Sequence, residues 1–480
     1  MPPASSPGLH DRQSGNAREA DRAAKVRFRR AITLMVMTLV VPGSAQLVAG
    51  NKRIGRIAIR IWMGLIATSV LLFLITLVWH KFAFKMAFNL GALDLVRLLM
   101  MGIAIGWAAL FVDAWRLGQP LTLVKNQRLM AVGVNGVLCF TVAGTLLFGA
   151  HLVTVQRDFA AMFANGKVSD AEHGRYNVLL MGGDSGAGRW GLRPDSMTIA
   201  SIDEETGRTV LIGLPRNLEN FKFKKGSVMD EQFPDGFDCE GCYLNGVSTW
   251  AGDHTDLFGK SKSPGIDATI MAVEGITDLK INYWAMVNLQ GFKDLVDAVG
   301  GVTVTVRDRI PVGGLGSDVT GYIEPGTRKL NGHDALWYAR SREGSDDYSR
   351  MARQKCMMNA MATQVSPQKV VSNFGEIAEA GGSMIETNLP RSEFATFIDL
   401  ALKAKDQKIS SVSIVPPAIN TADPDLAKIK AMVKKGIDKA EGKAGKPGKA
   451  RKNASTNGAA IGTRDEGYAA NASEDLAAAC

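Results

Sequence analysis

YNVLLMGGDSGAGRWGLRPDSMTIASIDEETGRTVLIGLPRN, residues Tyr176 to Asn217, carries both a strand pattern and a cluster of charged residues at the strand ends. Tyr176–Met181 is a short apolar run that stops at Gly182-Gly183-Asp184, the pattern of a buried strand entering a tight turn. A Gly-rich loop leads to Arg193-Pro194-Asp195-Ser196 and then to two β-favouring runs, Met197–Ile202 and Arg208–Leu214. The acidic, glycine-bearing connection between those runs predicts a hairpin. In an antiparallel hairpin the start of one strand lies beside the end of the other, so Arg193 and Asp195 are expected at the same sheet edge as Arg216. If Tyr176–Met181 joins the sheet parallel to the second hairpin strand, Asp184 arrives there too. Two carboxylates and two guanidiniums around glycine backbone suit a metal ion and a phosphate.

Around this stretch the chain divides by composition. It has 480 residues, 46% of them hydrophobic, and a formal net charge of +9, enough for two or three domains and a substantial core. Residues 1–30 are polar, then basic (Arg22, Lys25, Arg27, Arg29, Arg30), and predict a disordered cytoplasmic tail meeting a membrane. No helix-turn-helix, zinc or other reader module occurs there, so nucleic acid is not an expected partner. Residues 31–152 hold four apolar windows, Ala31–Ala49, Ile57–Trp79, Leu93–Trp115 and Leu129–Leu152, each near the ~20 residues that span a bilayer. Basic residues fill the loops Asn51–Arg60 and Arg116–Arg128, and basic loops stay inside. Four spans would return the rest of the chain to the side of the tail. Three spans, with the Pro42-Gly43-broken first window only dipping in, would place everything beyond about Leu152 outside. The second reading is preferred: a multi-pass all-α anchor with a cytoplasmic N-terminus and an extracytoplasmic domain.

Residues 153–175 read as a connector, 176–418 as one α/β domain, and 419–480 as a short helix followed by a Lys/Gly-rich tail. Strands are expected at 176–181, 197–202, 208–214, 302–306, 335–341 and 409–415. Helices are expected at about 266–278, 288–299, 348–365, 369–380 and 391–404. Outside the cell, Cys239-Glu-Gly-Cys242 is better read as a small disulfide loop than as half of a zinc site. A bridge between Cys356 and Cys480 is compatible with the sequence, but spacing does not decide it. Cys139 lies in an apolar window as packing.

A second group of charges lies in LNGHDALWYARSREGSDDYSRMARQ, Leu330 to Gln354. Read as a strand, Ala335–Ala339 puts Arg340 and Arg342 on one face. A helix is expected from about Tyr348, capped by Ser345, Asp346 or Asp347. The spacing of Asp347, Arg350 and Gln354 then puts all three on one helical face. Arginines flanking a helix N-terminus make an anion site, and four of them (Arg340, Arg342, Arg350, Arg353) need a counter-charge. A diphosphate would supply it, as would the local carboxylates.

The order GGDSG, RPDS, LPRN and LNGHDALWYARSREGSDDYSRMARQ resembles the LytR–CpsA–Psr family over about residues 170–415. The resemblance implies a mixed central sheet flanked by helices, an α-β-α sandwich with an apolar groove for a polyprenyl chain. It also implies a membrane-anchored phosphotransferase of the cell wall. Such an enzyme moves a polyprenyl-diphosphate-linked glycan onto a peptidoglycan acceptor through a phosphodiester, releasing polyprenyl phosphate. On this resemblance Asp184 and Asp195 bind Mg2+, and Arg193, Arg216, Arg340, Arg342 and Arg350 hold the diphosphate. Asp347 and Gln354 buttress the arginines or touch the head group. Several positions depart from the commonest pattern: Gly183 and Gly186 replace a frequent Ser and Arg, Pro194 a Ser, and Asn217 an Asp. The competing reading is a cell-envelope regulator that binds or hydrolyses lipid diphosphate and ligates nothing.

Overall fold

The computed structural model describes residues 9–79, 82, 86, 88–162, 167–183, 193–314, 316, 318–364, 385–405, 407–442, 471, 476 and 480. They form two compact units, residues 1–158 and 159–480.

The first unit is helical: α1 (Leu9–Val40), α2 (Ser44–Ala49), α3 (Lys52–Val78), α4 (Leu90–Leu117) and α5 (Lys125–Met162). Three helical stretches, Lys52–Val78, Leu90–Thr122 and Lys125–Asp158, are long and apolar enough to cross a membrane. Residues 9–30, expected to be disordered, are instead the first part of α1. The run from Ala17 to Ala31 is dense in Ala, Arg, Glu and Lys, strong helix formers that outweigh its polarity. Helix α1 stops before Pro42, and Gly43 turns the chain at φ +93°. Contacts with α4 trace the path of residues 31–50. A Cβ on Gly118, just past the end of α4, would lie 2.9 Å from Ala31 Cβ. Thr38 O accepts from Trp107 Nε1 at 3.0 Å, well inside α4. Gln46 Nε2 donates to Leu110 O (3.0 Å) and Asp113 Oδ2 (3.1 Å), and Gly50 packs on Leu117. Residues 31–50 thus run partway along α4 and return to the end where they began. Gly55 makes the return possible, since a Cβ there would lie 2.6 Å from Leu47 N.

The second unit is built on a sheet. Its elements are β1 (Arg175–Gly183), β2 (Pro194–Asp203), β3 (Thr209–Leu214), α6 (Val228–Gln232), α7 (Val247–Asp253), α8 (Pro264–Thr277), β4 (Tyr283–Asn288), α9 (Leu289–Ala298) and β5 (Val302–Val306). After these come β6 (Ile310–Gly313), β7 (Val319–Ile323), β8 (Gly326–Leu330), α10 (Gly332–Arg340), α11 (Asp347–Gln364), β9 (Ile385–Thr387), α12 (Phe394–Lys405), β10 (Ser410–Ser413) and α13 (Leu426–Ala440). The mixed main sheet has the order β10-β3-β2-β1-β4-β9, flanked by helices; β5–β8 and β6–β7 form two small ribbons. In the β2–β3 turn, Asp203 Oδ1 accepts from the Glu205 and Thr206 amides, and Gly207 takes φ +72°.

Alternation along the strands gives the sheet two different faces. Leu179, Met181, Ile199, Ile212 and Met286 pack with Ile276 of α8 and Ile429 and Val433 of α13 into the main core. The other face presents Leu180, Thr198 and Gly213 toward α11. A second core joins the ribbons to α9, α10 and α11 through Val296, Val304, Ile310, Ala335, Tyr338 and Met357. Because α13 belongs to the main core, the domain runs past the boundary expected at residue 418. Near the C-terminus Leu476 is buried against Ala200, Leu211 and Ile409, and Cys480 is bridged to Cys356; Cys239 and Cys242 form the second disulfide.

One expected strand is a helix. Ala335–Arg340 lies in α10, where Ala335 and Tyr338 are buried at helical spacing and Asn331 Oδ1 caps the N-terminus by accepting from Asp334 N. The aromatic run reads as strand by propensity, but the cap and the packing decide for helix. The helix expected over 369–380 lies outside the described residues.

Candidate active site

The site is assembled where the end of β1, the start of β2 and the end of β3 meet. Strands β2 and β3 pair antiparallel with Met197 opposite Leu214, which brings Asp195 beside Arg216 two residues further on. Across β1, Gly182 pairs with Ser196 and Gly183 with Pro194, so Asp195 is the extra residue of a β-bulge. The bulge turns its carboxylate out of the ladder, and Arg216 Nη1 lies 2.7 Å from Asp195 Oδ1.

Helix α11 supplies the second wall. Its N-terminus is capped by Asp346, whose Oδ1 accepts from Ser349 N at 2.6 Å. Asp347 then sits among three arginines, with Arg350 Nη2 at 3.0 Å, Arg216 Nε at 3.3 Å and Arg342 Nη1 at 3.7 Å. Arg350, nearly fully buried, also donates to the backbone O of Asp195 (3.0 Å) and so ties α11 to β2. Gln354, one turn on, accepts from Ser196 Oγ (3.0 Å) and donates to Ala339 O (3.2 Å), tying the same helix to β2 and α10. Arg340 closes α10 and lies over the Trp337 ring at 5.7 Å, while Arg342 comes next in the loop. The two therefore reach the site from a helix end rather than from one strand face.

Burial sets the electrostatics, and the ion pairs modify it. For Asp195 burial favours the neutral acid, but the hydrogen bond and charge of Arg216, aided by Arg350 and Arg342, overcome that and hold its pKa below the ordinary value. For Arg216 burial again opposes charge, and Asp347 and Asp195 more than restore it. Arg350 is so enclosed that burial lowers its pKa despite Asp347.

These groups open onto a cavity of about 690 Å³. Arg193, Asp195, Arg216, Arg340, Arg342, Arg350 and Gln354 line one part of it. The remainder is apolar: Leu180, Ala285 and Val287 from the sheet, Phe292 and Leu295 from α9, Leu336 from α10, and Met357, Met358 and Met361 from α11. Five guanidiniums against the two carboxylates Asp195 and Asp347 leave three positive charges, enough to hold a diphosphate in a half-enclosed space. Asp184, singled out in the sequence, lies outside the described residues. Arg353 does not face the cavity; it donates to Tyr338 O (2.7 Å) and Ser341 O behind the Arg340–Arg342 turn. Among the described residues no three His, Cys, Asp or Glu side chains cluster to hold a metal by themselves.

The model of the LytR_cpsA_psr family matches residues 152–435, which contain every element of this site. The chain belongs to the LytR_cpsA_psr family. Among relatives, Biofilm regulatory protein A of Streptococcus mutans is 29% identical over 233 residues, 47% of this chain and 52% of that protein. The polyisoprenyl-teichoic acid–peptidoglycan teichoic acid transferase TagV of Bacillus subtilis is 26% identical over 253 residues, 52% of this chain and 58% of its own length. The chain therefore spans between half and three fifths of these two relatives. The crystal structure of B. subtilis TagV overlays on 57% of this chain and 99% of that one, at 22% identity and a TM-score of 0.42. Within this family chain, the sequence had singled out the arginines and Asp195, but not the apolar wall or Asn245 on the cavity's rim. The wall residues carry the ordinary periodicity of core helices, and a single loop amide carries no spacing signal.

Proposed function

We propose that this chain is a phosphotransferase that joins a polyprenyl-diphosphate-linked glycan to peptidoglycan. The observation that supports it best is the continuity of an arginine-rich anion site with an apolar cavity, because a lipid diphosphate has that same order of parts. The transferase names of relatives such as TagV support the same reading.

In this reading the lipid chain lies against Phe292 and the methionines. Arg340, Arg342 and Arg350 bind the non-bridging diphosphate oxygens, and Arg193 and Arg216 face the phosphorus under attack. An acceptor hydroxyl attacks the phosphorus that bears the glycan, the bond to the lipid phosphate breaks, and the hydroxyl proton ends on the released polyprenyl phosphate. Aligning the reactants and neutralising charge is most of what this chemistry asks of a protein. Asp195, held ionised, is suited to a cation and is a weak base. A Mg2+ site needs only one or two carboxylates beside substrate phosphates, so Asp195 fits it, with Asp184 as the second carboxylate. When bound, Mg2+ would neutralise developing charge on the bridging oxygen.

The membrane placement belongs to the same proposal. The turned-back segment before α3 leaves three crossings, so the tail and basic loops face the cytoplasm and the catalytic unit faces the wall. Incubating the full-length chain in detergent with lipid-diphosphate glycan and a peptidoglycan oligomer tests the reading by mass spectrometry. A glycan phosphate covalently attached to the oligomer is expected. Free glycan phosphate would make the chain a hydrolase, and unchanged substrate would remove the enzymatic reading.

A further inference from the structure

Three amides line the cavity, and two are committed to the fold. Asn288 caps α9, its Oδ1 accepting from Gly291 N at 2.8 Å. Gln354 is held between Ser196 and Ala339. The third, Asn245, is only 5% exposed and lines the cavity; its side chain makes no hydrogen bond among the described residues, and its amide is not among their fully enclosed unpartnered atoms. What little of it is exposed opens on the cavity, so this amide, alone of the three, is free to serve a ligand group there.

The segment that carries it is firmly seated. Asn245 N donates to Arg216 O (3.0 Å) and Leu244 N to Leu218 O (2.9 Å), so this loop is stitched to the segment bearing the site's central arginine. Leu244 and Val247, on either side, are fully buried in the main core, and the Cys239–Cys242 bridge closes the loop just upstream. Asn245 thus stands beside Arg216 at the charged end of the cavity, away from the apolar wall.

Its chemistry differs from that of its neighbours. The guanidiniums there only donate and the carboxylates only accept, whereas an amide does both without net charge. That combination matches a sugar hydroxyl, which also donates and accepts. In a lipid-diphosphate glycan the first sugar is attached to the diphosphate on the side away from the lipid. We infer that Asn245 hydrogen-bonds a hydroxyl or amide of the first sugar of the carrier-linked glycan and is a specificity determinant of the donor site. This rests on the reading of the cavity as a lipid-diphosphate site.

Two probes separate the two ideas: farnesyl diphosphate, and farnesyl diphosphate bearing one N-acetylglucosamine on its terminal phosphate. Their affinities are measured by calorimetry on the full-length chain in detergent. Wild type is expected to bind the sugar-bearing probe more tightly by about three- to tenfold, the range of one neutral hydrogen bond. Asn245→Ala and the similarly sized Asn245→Leu should bind both probes alike, and plain farnesyl diphosphate within about twofold of wild type. Equal losses on both probes would mean that the amide serves the diphosphate or the fold, and an unchanged preference would mean that it serves neither; either result overturns the inference. Failure of wild type to bind either probe would instead overturn the lipid-diphosphate reading and the Asn245 assignment with it.

Discussion

The two ends of the cavity are built on opposite plans. At the charged end every described carboxylate and most guanidiniums are tied by a named partner: Asp195 to Arg216, Asp347 to three arginines, Arg350 to the Asp195 backbone. At the apolar end the wall is Leu, Phe and three methionines of α11, side chains with no polar atom to orient them. The same helix serves both, with Asp347, Arg350 and Gln354 in its first turns and Met357, Met358 and Met361 further along. The difference is that between holding one group in one geometry and accepting a long flexible group in many. On the proposed function, directional bonds would fix the diphosphate, while methionine would adapt to a lipid chain whose conformation need not be unique.

Breaking the charged end should therefore have the largest effect. Arg216→Ala removes the guanidinium that links Asp195 and Asp347, and turnover is expected to fall by roughly 10²–10³, as for loss of a preorganised donor. Transfer measured by mass spectrometry at near-normal turnover would show that the geometry around Arg216 is structural only.

A second test probes how α11 is anchored between the two ends. Lys355, fully enclosed, donates to Ser411 Oγ (3.1 Å) and Ser413 Oγ (2.5 Å) of β10, and burial alone lowers its pKa to about 7. The unfolded chain would hold that proton to about 10.5, the ordinary value. Between about 7 and 10.5 the unfolded state thus binds more protons, and stability climbs with pH by at most ~1.4 kcal/mol per unit. Below that window both states are protonated and the cost of the buried charge is constant. Urea unfolding of wild type and Lys355→Met at pH 7, 8 and 9 should show that slope reduced in the variant; parallel curves would mean that Lys355 is solvated in solution.

How much of this was legible in the sequence depends on how local each signal was. The β2–β3 hairpin and the helix carrying Asp347, Arg350 and Gln354 are set by turn residues, caps and spacing within a few residues, so Asp195 opposite Arg216 could be expected from pattern alone. Ala335–Arg340 was misread because Leu-Trp-Tyr favours strand locally, and only the Asn331 cap and the burial of Ala335 with Tyr338 decide otherwise. The ribbon strands β7 and β8 hide among glycines and mostly exposed residues, where alternation has no buried face to mark. Asn245 depends on a long-range pairing with the Arg216 segment that no local pattern reports.

The finest test of the contrast uses conservative changes at both ends of α11's reach. Arg342→Lys keeps the charge but replaces a planar fork with a point donor, and Arg342 already reaches Asp347 only at 3.7 Å. If the charged end works by geometry, charge alone should not suffice, and turnover should drop by about tenfold. Met361→Leu changes shape at nearly constant volume, a swap that cores tolerate at under about 1.5 kcal/mol. If the apolar end works by accommodation, turnover on lipid-linked donor should stay within about twofold of wild type. The two variants assayed side by side give the contrast directly. A tolerant Arg342→Lys would mean that the arginines act as a diffuse positive field, and an intolerant Met361→Leu would mean that the apolar wall reads the shape of its lipid.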